Sequence, residues 1–399
     1  MTYYILSQIE YHIRDANIKL VFDEKTKQSK VYSLKKYLSK IKSLIDKNIS
    51  DWDQIKKYTN PYEFVHTQIP GQKVSVSKYK PISRAFYKIM EIYNSHKLIV
   101  TGKPIKTFHL AEGPGGFIES TAYIRNNTND NYYGITLIDK SGNIPNWKKA
   151  EHIIKKYGNI NIEYGVNGRG DLYDHTNLVY CKSKFKNSMD IITADGGFDF
   201  SNDYNNQEKS AFRLIFTQVA YAVTMQKHNG HFVLKIFDMF ENSTIELIYL
   251  LSCLYENVCI TKPYTSRYAN SEKYIVCKGF KYNNSDELSC KFINVLKFFE
   301  SFDFDKYQVT SILNLPIHSY YMNQIKEINA ILAHQQIDNI LNTIKIITHK
   351  DRKNDKIQSL KSHNIQKCIT WCINNKIPYN KNYPSNNIFL GERIRNFKT

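Results

Sequence analysis

The segment from His109 to Glu119 contains the residues best suited to bind a ligand. It reads His-Leu-Ala-Glu-Gly-Pro-Gly-Gly-Phe-Ile-Glu and lies between an apolar strand pattern and a helical pattern. Glycines let the backbone turn sharply and approach a ligand without interference from Cβ atoms. At the carboxyl end of a first strand, such a turn predicts a site for a nucleotide-type cofactor.

The order of the loop residues narrows the choice of cofactor. A dinucleotide-binding loop follows the pattern GxGxxG, whereas Phe117 and Ile118 stand here in the region of the third glycine. That departure argues against a dinucleotide and favours a methyltransferase, whose cofactor is S-adenosyl-L-methionine. Glu112, directly before the loop, would suit the cationic methionine end of that cofactor or a main-chain contact, and a plain surface carboxylate is the alternative.

Two further acids follow predicted strands and could complete the cofactor site. Asp139 ends the second strand pattern and could accept hydrogen bonds from ribose hydroxyls, unless it pairs with Lys140. Asp171 follows the third strand pattern and could accept from the adenine amino group, although Gly-Asp sequences also form ordinary turns. The predicted cofactor-binding residues are Glu112, Gly113, Pro114, Gly115, Gly116, Phe117, Asp139, Asp171 and Asp195.

The predicted cofactor-binding residues must be positioned by a fold that brings the ends of several strands together. From about Phe108 to Phe280, short apolar strand patterns alternate with longer helical ones, which predicts an α/β fold with a parallel, doubly wound sheet. The flanks have helical spacing instead. We therefore predict an N-terminal helical extension over 1–60, an α/β domain over 61–282 and a C-terminal helical extension over 283–399.

Composition indicates the kind of partner. Lys and Arg outnumber Asp and Glu by 55 to 37, a formal net charge of +18, which favours a polyanionic partner, with nucleic acid as the first candidate.

No apolar run approaches the roughly 20 residues of a membrane-spanning helix. Polar residues interrupt the N-terminus, unlike a secretory signal, so we expect an intracellular, cytoplasmic or nuclear protein. The seven cysteines form no CxxC pair, which disfavours structural zinc and a disulfide framework.

Four charged segments follow one another in an order that is similar to a known family. They are Ser83-Arg84-Ala85-Phe86-Tyr87-Lys88, Ala194-Asp195-Gly196-Gly197, Val233-Leu234-Lys235 and Ser271-Glu272-Lys273-Tyr274. Together with the glycine loop, this order resembles that of the FtsJ-like ribose 2′-O-methyltransferases, in which a lysine, an aspartate, a second lysine and a glutamate form a tetrad. The resemblance covers about residues 80 to 282.

The resemblance implies a Rossmann-like methyltransferase sheet, S-adenosyl-L-methionine as cofactor, and Lys88, Asp195, Lys235 and Glu272 as catalytic residues. Lys235 would act on a ribose 2′-hydroxyl, and the two carboxylates would hold the lysines in place. The scheme requires no metal ion. As single residues, all four could be surface salt-bridge partners; for Asp195 and Lys235, the position after an apolar strand favours the functional edge of the sheet.

Shorter matches point to one branch of that family. The segments Asn60-Pro61-Tyr62-Glu63-Phe64, Trp371-Cys372 and Asn375-Lys376-Ile377-Pro378 resemble those that flank the catalytic domain of cap-methylating enzymes, which occur in eukaryotes and large DNA viruses. This branch implies the 5′ end of capped mRNA as substrate, and partners from the capping or transcription machinery. The Asn-, Ile-, Lys- and Tyr-rich composition would suit an AT-rich viral genome.

Three other functions stay open on the sequence alone. A ribosomal or transfer RNA 2′-O-methyltransferase would use the same tetrad, and a non-catalytic RNA-binding scaffold could keep the same fold. A nicotinamide-dependent enzyme would need the GxGxxG loop that is missing.

If the partner is RNA, its phosphates would be contacted by the excess of lysine and arginine side chains. The residues considered for such contacts are Lys78, Lys80, Arg84, Arg267 and Lys273, each of which could also be a solvated charge.

Overall fold

A computed structural model describes residues 2–25, 33–99, 102–138, 145–197, 206–349 and 354–380 of the chain. The chain divides into two compact units, and neither unit is continuous in sequence. The first comprises Met1–Ser39, Ile82–Pro263 and Ser271–His334, and the second comprises Lys40–Pro81, Tyr264–Asn270 and Gln335–Thr399. The predicted α/β fold is confirmed, with its sheet in the first unit.

The first unit contains an eight-stranded sheet with the order β1-β8-β9-β7-β6-β3-β4-β5, and a two-stranded sheet that pairs β10 with β2. The strands are β1 (Thr2–Ile5), β2 (Ile18–Glu24), β3 (Lys106–Leu110), β4 (Asn131–Ile135), β5 (Ile160–Glu163), β6 (Met189–Ala194), β7 (Gln226–Ile236), β8 (Tyr255–Lys262), β9 (Lys273–Phe280) and β10 (Tyr307–Leu313). The run from β7 to β5 is parallel, and β9, β8 and β1 add in antiparallel fashion.

Helices supply the connections between most of these strands. They are α1 (Ser33–Asp46), α2 (Ile49–Thr59), α3 (Ala85–His96), α4 (Gly116–Arg125), α5 (Glu151–Lys156), α6 (His175–Phe185), α7 (Gln207–Met225), α8 (Asn242–Leu254), α9 (Asp286–Ser301), α10 (Ser319–Ile347) and α11 (Asn354–Asn374). No helix in the described part of the chain combines the length and apolar character needed to cross a membrane.

Strand direction brings the predicted site residues to one edge. The parallel strands β3, β6 and β7 all end there, and the antiparallel strand β9 begins there. The register pairs Ala194 with Leu234 on one side of β7, and Lys235 with Tyr274 on the other. Asp195 and Glu272, each one residue beyond its strand, therefore lie beside Lys235.

Side-chain alternation decides which face of the sheet these groups share. Leu234 belongs to one apolar cluster and Val233 to another, because successive side chains of a strand point to opposite faces. Lys235 continues on the face of Val233. Tyr274 belongs to the cluster of Val233, and so do buried residues of α3. The helix that carries Lys88 thus packs on the face where Lys235 projects.

The segments outside the α/β domain differ from the predicted helical extensions. The N-terminal 60 residues hold α1 as predicted, but β1 pairs with β8 and β2 pairs with β10. Strand β8 and strand β10 were also not predicted. The structure therefore places Met1–Ser39 in the same unit as the sheet, whereas the sequence predicted a separate extension. Of the missed strands, β1 has four residues and lies at the edge of the large sheet, whereas β8 has eight residues and lies between β1 and β9. The pairs β1–β8 and β2–β10 each join segments that are distant in sequence.

The second unit contains the flanking segments that begin at Asn60 and at Trp371. Helix α11 packs against a 3-10 turn over Glu63–Val65, and Cys368 Sγ lies 3.5 Å from the main-chain oxygen of Pro61. The main-chain N–H of Lys78 donates to the oxygen of Pro378 at 2.8 Å. These contacts bring the segment after Asn60 and the segment before Pro378 into one body, although about 300 residues separate Pro61 from Cys368 in the chain.

Candidate active site

Two lysine–carboxylate pairs meet at the edge where β6 and β7 end. Lys88 Nζ donates to Glu272 Oε2 at 2.8 Å, and Lys235 Nζ lies 3.2 Å from Asp195 Oδ1. Lys235 also donates to the main-chain oxygen of Asp195 at 2.6 Å. Their side chains keep only 12% to 16% of their exposure, so each charge is largely removed from water but still accessible to a substrate.

Tyr274 joins these two pairs, and the sequence did not predict a role for it. Its hydroxyl lies 3.0 Å from Asp195 Oδ1 and 3.3 Å from Glu272 Oε1, and its ring is fully buried. A phenol has one hydrogen to donate, and the shorter contact favours Asp195. The signal that could have revealed Tyr274 is its position two residues after Glu272, where alternation returns a side chain to the same face.

The charges around Glu272 keep it ionised. Burial by itself would raise the pKa of this carboxyl, but the ammonium groups of Lys88 and Lys235 and the hydrogen bond from Lys88 outweigh burial and hold the pKa well below its usual range. A permanently ionised Glu272 then anchors Lys88. The site therefore contains two neighbouring lysine–carboxylate ion pairs at the strand ends.

The glycine loop between β3 and α4 has the conformation that its residues predicted. Gly115 has φ 115°, a backbone angle that side chains rarely allow. A Cβ atom on Gly113 would lie 2.3 Å from the main-chain oxygen of Pro145, and one on Gly116 would lie 2.2 Å from Ser83 Oγ. Glycine at these positions lets the loop pack against the next strand connection and against the start of α3, while Pro114 and the buried Phe117 complete the turn.

The side chain of Glu112 stabilises the glycine loop through hydrogen bonds to main-chain N–H groups. Its Oε1 accepts hydrogen bonds from the main-chain N–H groups of Phe117 at 2.6 Å and Ile118 at 2.9 Å. Burial raises the pKa of Glu112 well above its usual range, and these two hydrogen bonds oppose that change. Of the two roles predicted for Glu112, the structure contains the main-chain contact. Its carboxyl thereby holds the first turn of α4 against the loop.

Two predicted cofactor-binding acids, Asp139 and Asp171, follow strands β4 and β5 along the chain. Asp139 falls outside the residues that the structure describes. Asp171 is half-buried, and its Oδ1 accepts from the N–H of Tyr173 at 2.9 Å. Gly170 before it has φ 62°, and a Cβ there would lie 2.2 Å from the main-chain oxygen of Thr136. The connections after β4 and β5 therefore approach each other closely at the same edge of the sheet.

Two residues considered for RNA contacts have other partners. Lys273 is buried, with 4% of its surface exposed, and donates to the main-chain oxygens of Phe237 at 2.8 Å and Ser271 at 2.9 Å. It is not a surface cation, and that prediction was wrong. Arg267 forms a two-pronged ion pair with the buried Glu63, with Nη2–Oε1 at 2.7 Å and Nε–Oε2 at 3.1 Å. Lys78 and Lys80 are exposed as expected.

Comparison with known proteins places this chain among methyltransferases. A family model described as FtsJ-like methyltransferase matches residues 81–280. A cap-specific mRNA (nucleoside-2′-O-)-methyltransferase 1 of Mus musculus is 31% identical over 264 residues, which are 62% of this chain and 30% of that protein. A cap-specific mRNA (nucleoside-2′-O-)-methyltransferase 2 of Drosophila melanogaster is 27% identical over 285 residues, which are 67% of this chain and 39% of that protein. The matched region thus spans well under half of either relative.

Proposed function

Because this chain belongs to the FtsJ-like methyltransferase family, we propose that it transfers the methyl group of S-adenosyl-L-methionine to a ribose 2′-hydroxyl of RNA. The observation that carries this proposal is the meeting of Lys88–Glu272 and Lys235–Asp195 beside the glycine loop. We propose the first transcribed nucleotides of capped mRNA as substrate, since the relatives named above are cap-specific enzymes.

The residues at the strand ends fit such a cofactor. A Cβ atom on Gly113 or Gly170 would lie 2.3 or 2.2 Å from a main-chain oxygen, and Gly115 has a backbone angle that favours glycine. The backbone connections therefore approach one another closely at the edge of the sheet where such a cofactor would bind. We assign the glycine loop, Asp171 and Asp195 to the walls of the cofactor site, with Asp139 as the proposed ribose contact and Glu112 as the residue that holds the loop. The bound cofactor would supply an electrophilic methyl group on a sulfonium centre.

We assign Lys235 to the 2′-hydroxyl of the target nucleotide. A ribose hydroxyl is a poor nucleophile at neutral pH, so a group must receive its proton or stabilise the charge on its oxygen. The Lys235 ammonium stabilises the negative charge that develops on that oxygen as its proton passes to water, and Asp195 holds Nζ in place through two oxygens. Lys88, fixed by Glu272, adds positive charge beside the same oxygen. The fixed geometry contributes by aligning the reacting atoms.

We propose RNA binding because the chain carries a large net positive charge. The formal net charge of +18 favours phosphate contacts, which would make binding weaken as salt concentration rises. Exposed Lys78 and Lys80 are available for such contacts, whereas Lys273 is not. Partially exposed aromatic side chains could stack unpaired bases, as is common in RNA recognition.

The test is methyl transfer from labelled S-adenosyl-L-methionine to short RNAs that are m7G-capped, G-capped or uncapped, followed by nuclease mapping of the labelled atom. We expect cap-dependent label on a 2′ oxygen, reduced about 100- to 10,000-fold in Lys235→Ala. Label on uncapped, structured RNA would instead indicate a ribosomal or transfer RNA substrate. Cofactor binding without transfer to any RNA would contradict the proposal and favour a non-catalytic scaffold.

A further inference from the structure

Two buried lysines lie directly behind the proposed catalytic groups. Lys262, the last residue of β8, and Lys273, the first residue of β9, have 7% and 4% of their surface exposed. Transfer of an ammonium group out of water is costly unless hydrogen bonds and charges compensate. Neither lysine is a member of the predicted tetrad, and neither is exposed enough to contact RNA.

Both lysines donate to main-chain oxygens around Glu272. Lys262 Nζ lies 2.8 Å from the oxygen of Glu272 itself. Lys273 Nζ lies 2.9 Å from the oxygen of Ser271 and 2.8 Å from that of Phe237. Two successive carbonyl groups of the segment that carries Glu272 thus accept from buried ammonium groups.

Lys273 also connects two strands that the proposed reaction needs in fixed positions. Phe237 directly follows β7, which carries Lys235, and Ser271 precedes β9, next to Glu272. The Lys273 ammonium therefore ties the exit of β7 to the entry of β9. Asp238, with Oδ1 3.4 Å from Lys273 Nζ, supplies negative charge on the same side.

We infer that Lys262 and Lys273 are positioning residues for methyl transfer, which fix the backbone of Glu272 and thereby the placement of Lys88 relative to Lys235. This inference rests on the proposed function. The carboxylate of Glu272 can hold Lys88 in only one place if its own backbone cannot shift, and charge-assisted hydrogen bonds are the stronger kind for this purpose.

The charge on Lys262 gives the inference a specific pH dependence. Burial, together with the charges of Lys273 and Lys88, lowers the pKa of Lys262 to about 7, while Glu272 and Asp238 oppose this change. Below pH 7 the group is an ammonium that donates a charge-assisted hydrogen bond to Glu272. Above pH 7 it is a neutral amine, whose hydrogen bond is weaker.

The experiment measures kcat and the KM values of wild type, Lys262→Met and Lys273→Met from pH 6 to pH 9, with S-adenosylhomocysteine binding as the check on folding. Lys278→Met is the matched control, since Lys278 also lies on β9 and donates to a main-chain oxygen, that of His96 at 3.2 Å, but at the opposite end of the strand. We expect kcat to fall about 10- to 100-fold in the two test variants, with KM nearly unchanged.

The pH dependence separates positioning by charge from a loss of packing. The ratio of wild-type kcat to Lys262→Met kcat should be largest at pH 6 and decline as pH rises through about 7. A ratio that is constant with pH, or kcat within twofold of wild type in both test variants, overturns the inference alone. If Lys262→Met fails to bind S-adenosylhomocysteine, Lys262→Gln takes its place. An inactive wild type overturns the proposed function as well.

Discussion

The hydroxyl of Tyr274 lies 3.0 Å from Asp195 Oδ1, so a fully buried phenol orients the carboxylate that also contacts Lys235. Burial raises the pKa of Tyr274 well above its usual range, as do the carboxylates of Asp195 and Glu272. The phenol therefore remains a hydrogen donor at neutral pH and well above it. Its single hydrogen fixes the direction of Asp195.

The first prediction concerns this phenol. In Tyr274→Phe, Asp195 loses a donor, and we expect about 1.5–3 kcal/mol less stability because a hydrogen bond to a charged group is lost. We also expect kcat to fall about 10-fold, since Asp195 can then turn away from Lys235. Urea unfolding and the methyl-transfer assay measure the two effects.

Tyr255→Phe is the control for that prediction. The Tyr255 hydroxyl is also buried and donates to Gln226 Oε1 at 3.2 Å, at the other end of the sheet. Its loss should lower stability without a change in kcat. Equal effects of both substitutions on kcat would show that Tyr274 acts through stability only.

The second prediction concerns the contact between the glycine loop and helix α3. A Cβ on Gly116 would lie 2.2 Å from Ser83 Oγ and 2.9 Å from Ala85 Cβ. Gly116→Ala should therefore destabilise the protein by about 1–3 kcal/mol and displace the helix that carries Lys88. Thermal unfolding and kcat are the measurements.

Gly158→Ala is the matched control, because a Cβ on Gly158 would meet no atom within 4 Å. It should leave both stability and kcat close to wild type. Adding Ser83→Ala to Gly116→Ala removes the nearest clashing atom, so the double variant should recover part of the lost stability. An additive, larger loss in the double variant would contradict this explanation.

The third prediction concerns the acid after β5. If Asp171 contacts the cofactor, Asp171→Ala should weaken S-adenosylhomocysteine binding about 10- to 100-fold, because a hydrogen bond to a charged group is lost. Isothermal titration calorimetry measures the change. Asp174→Ala is the comparison, since Asp174 lies in the same connection but accepts from the N–H of Thr176 at the start of α6. Equal losses of affinity in both variants would argue against a direct cofactor contact by Asp171.

The fourth prediction concerns acid stability. His109 in β3 is fully buried between Thr107 Oγ1 and Thr193 Oγ1, at 2.9 and 2.7 Å from its ring nitrogens, and burial lowers its pKa to about 3. The unfolded chain binds a proton at this residue near pH 6.5, whereas the folded chain does not. Stability should therefore decline as pH falls from about 6.5 toward 3.

At pH 5, the His109 contribution to this decline is about 2 kcal/mol. Urea unfolding of wild type and His109→Gln at pH 7 and pH 5 measures it, and the variant should lose less stability than wild type between the two values. His96, whose pKa burial lowers to about 4, adds to the slope in both proteins and cancels in the comparison. Identical slopes would mean that His109 is not buried as a neutral ring.

The sequence by itself determined the central strands and which charged residues stand at their ends. Short apolar runs between about Phe108 and Phe280 predicted a parallel sheet, and β3, β4, β6, β7 and β9 all lie in that region, because such runs are buried on both faces of a sheet. The glycine loop was predicted for a related reason, since few residues other than glycine tolerate the backbone of Gly115. The four tetrad residues were predicted from the resemblance of their order along the chain to that of the FtsJ-like family.

Only the tertiary structure decided which further residues join that site. The antiparallel direction of β9 sets Tyr274 opposite Lys235, and a local pattern does not record the direction or register of a strand. Lys273 looked like a surface cation because charge alone was visible, and its burial depends on Phe237 and Ser271. The edge strand β1 likewise exists because of β8, more than 250 residues later. Burial and strand pairing arise between segments that are distant along the chain, which is the physical reason that composition and spacing could not reveal them.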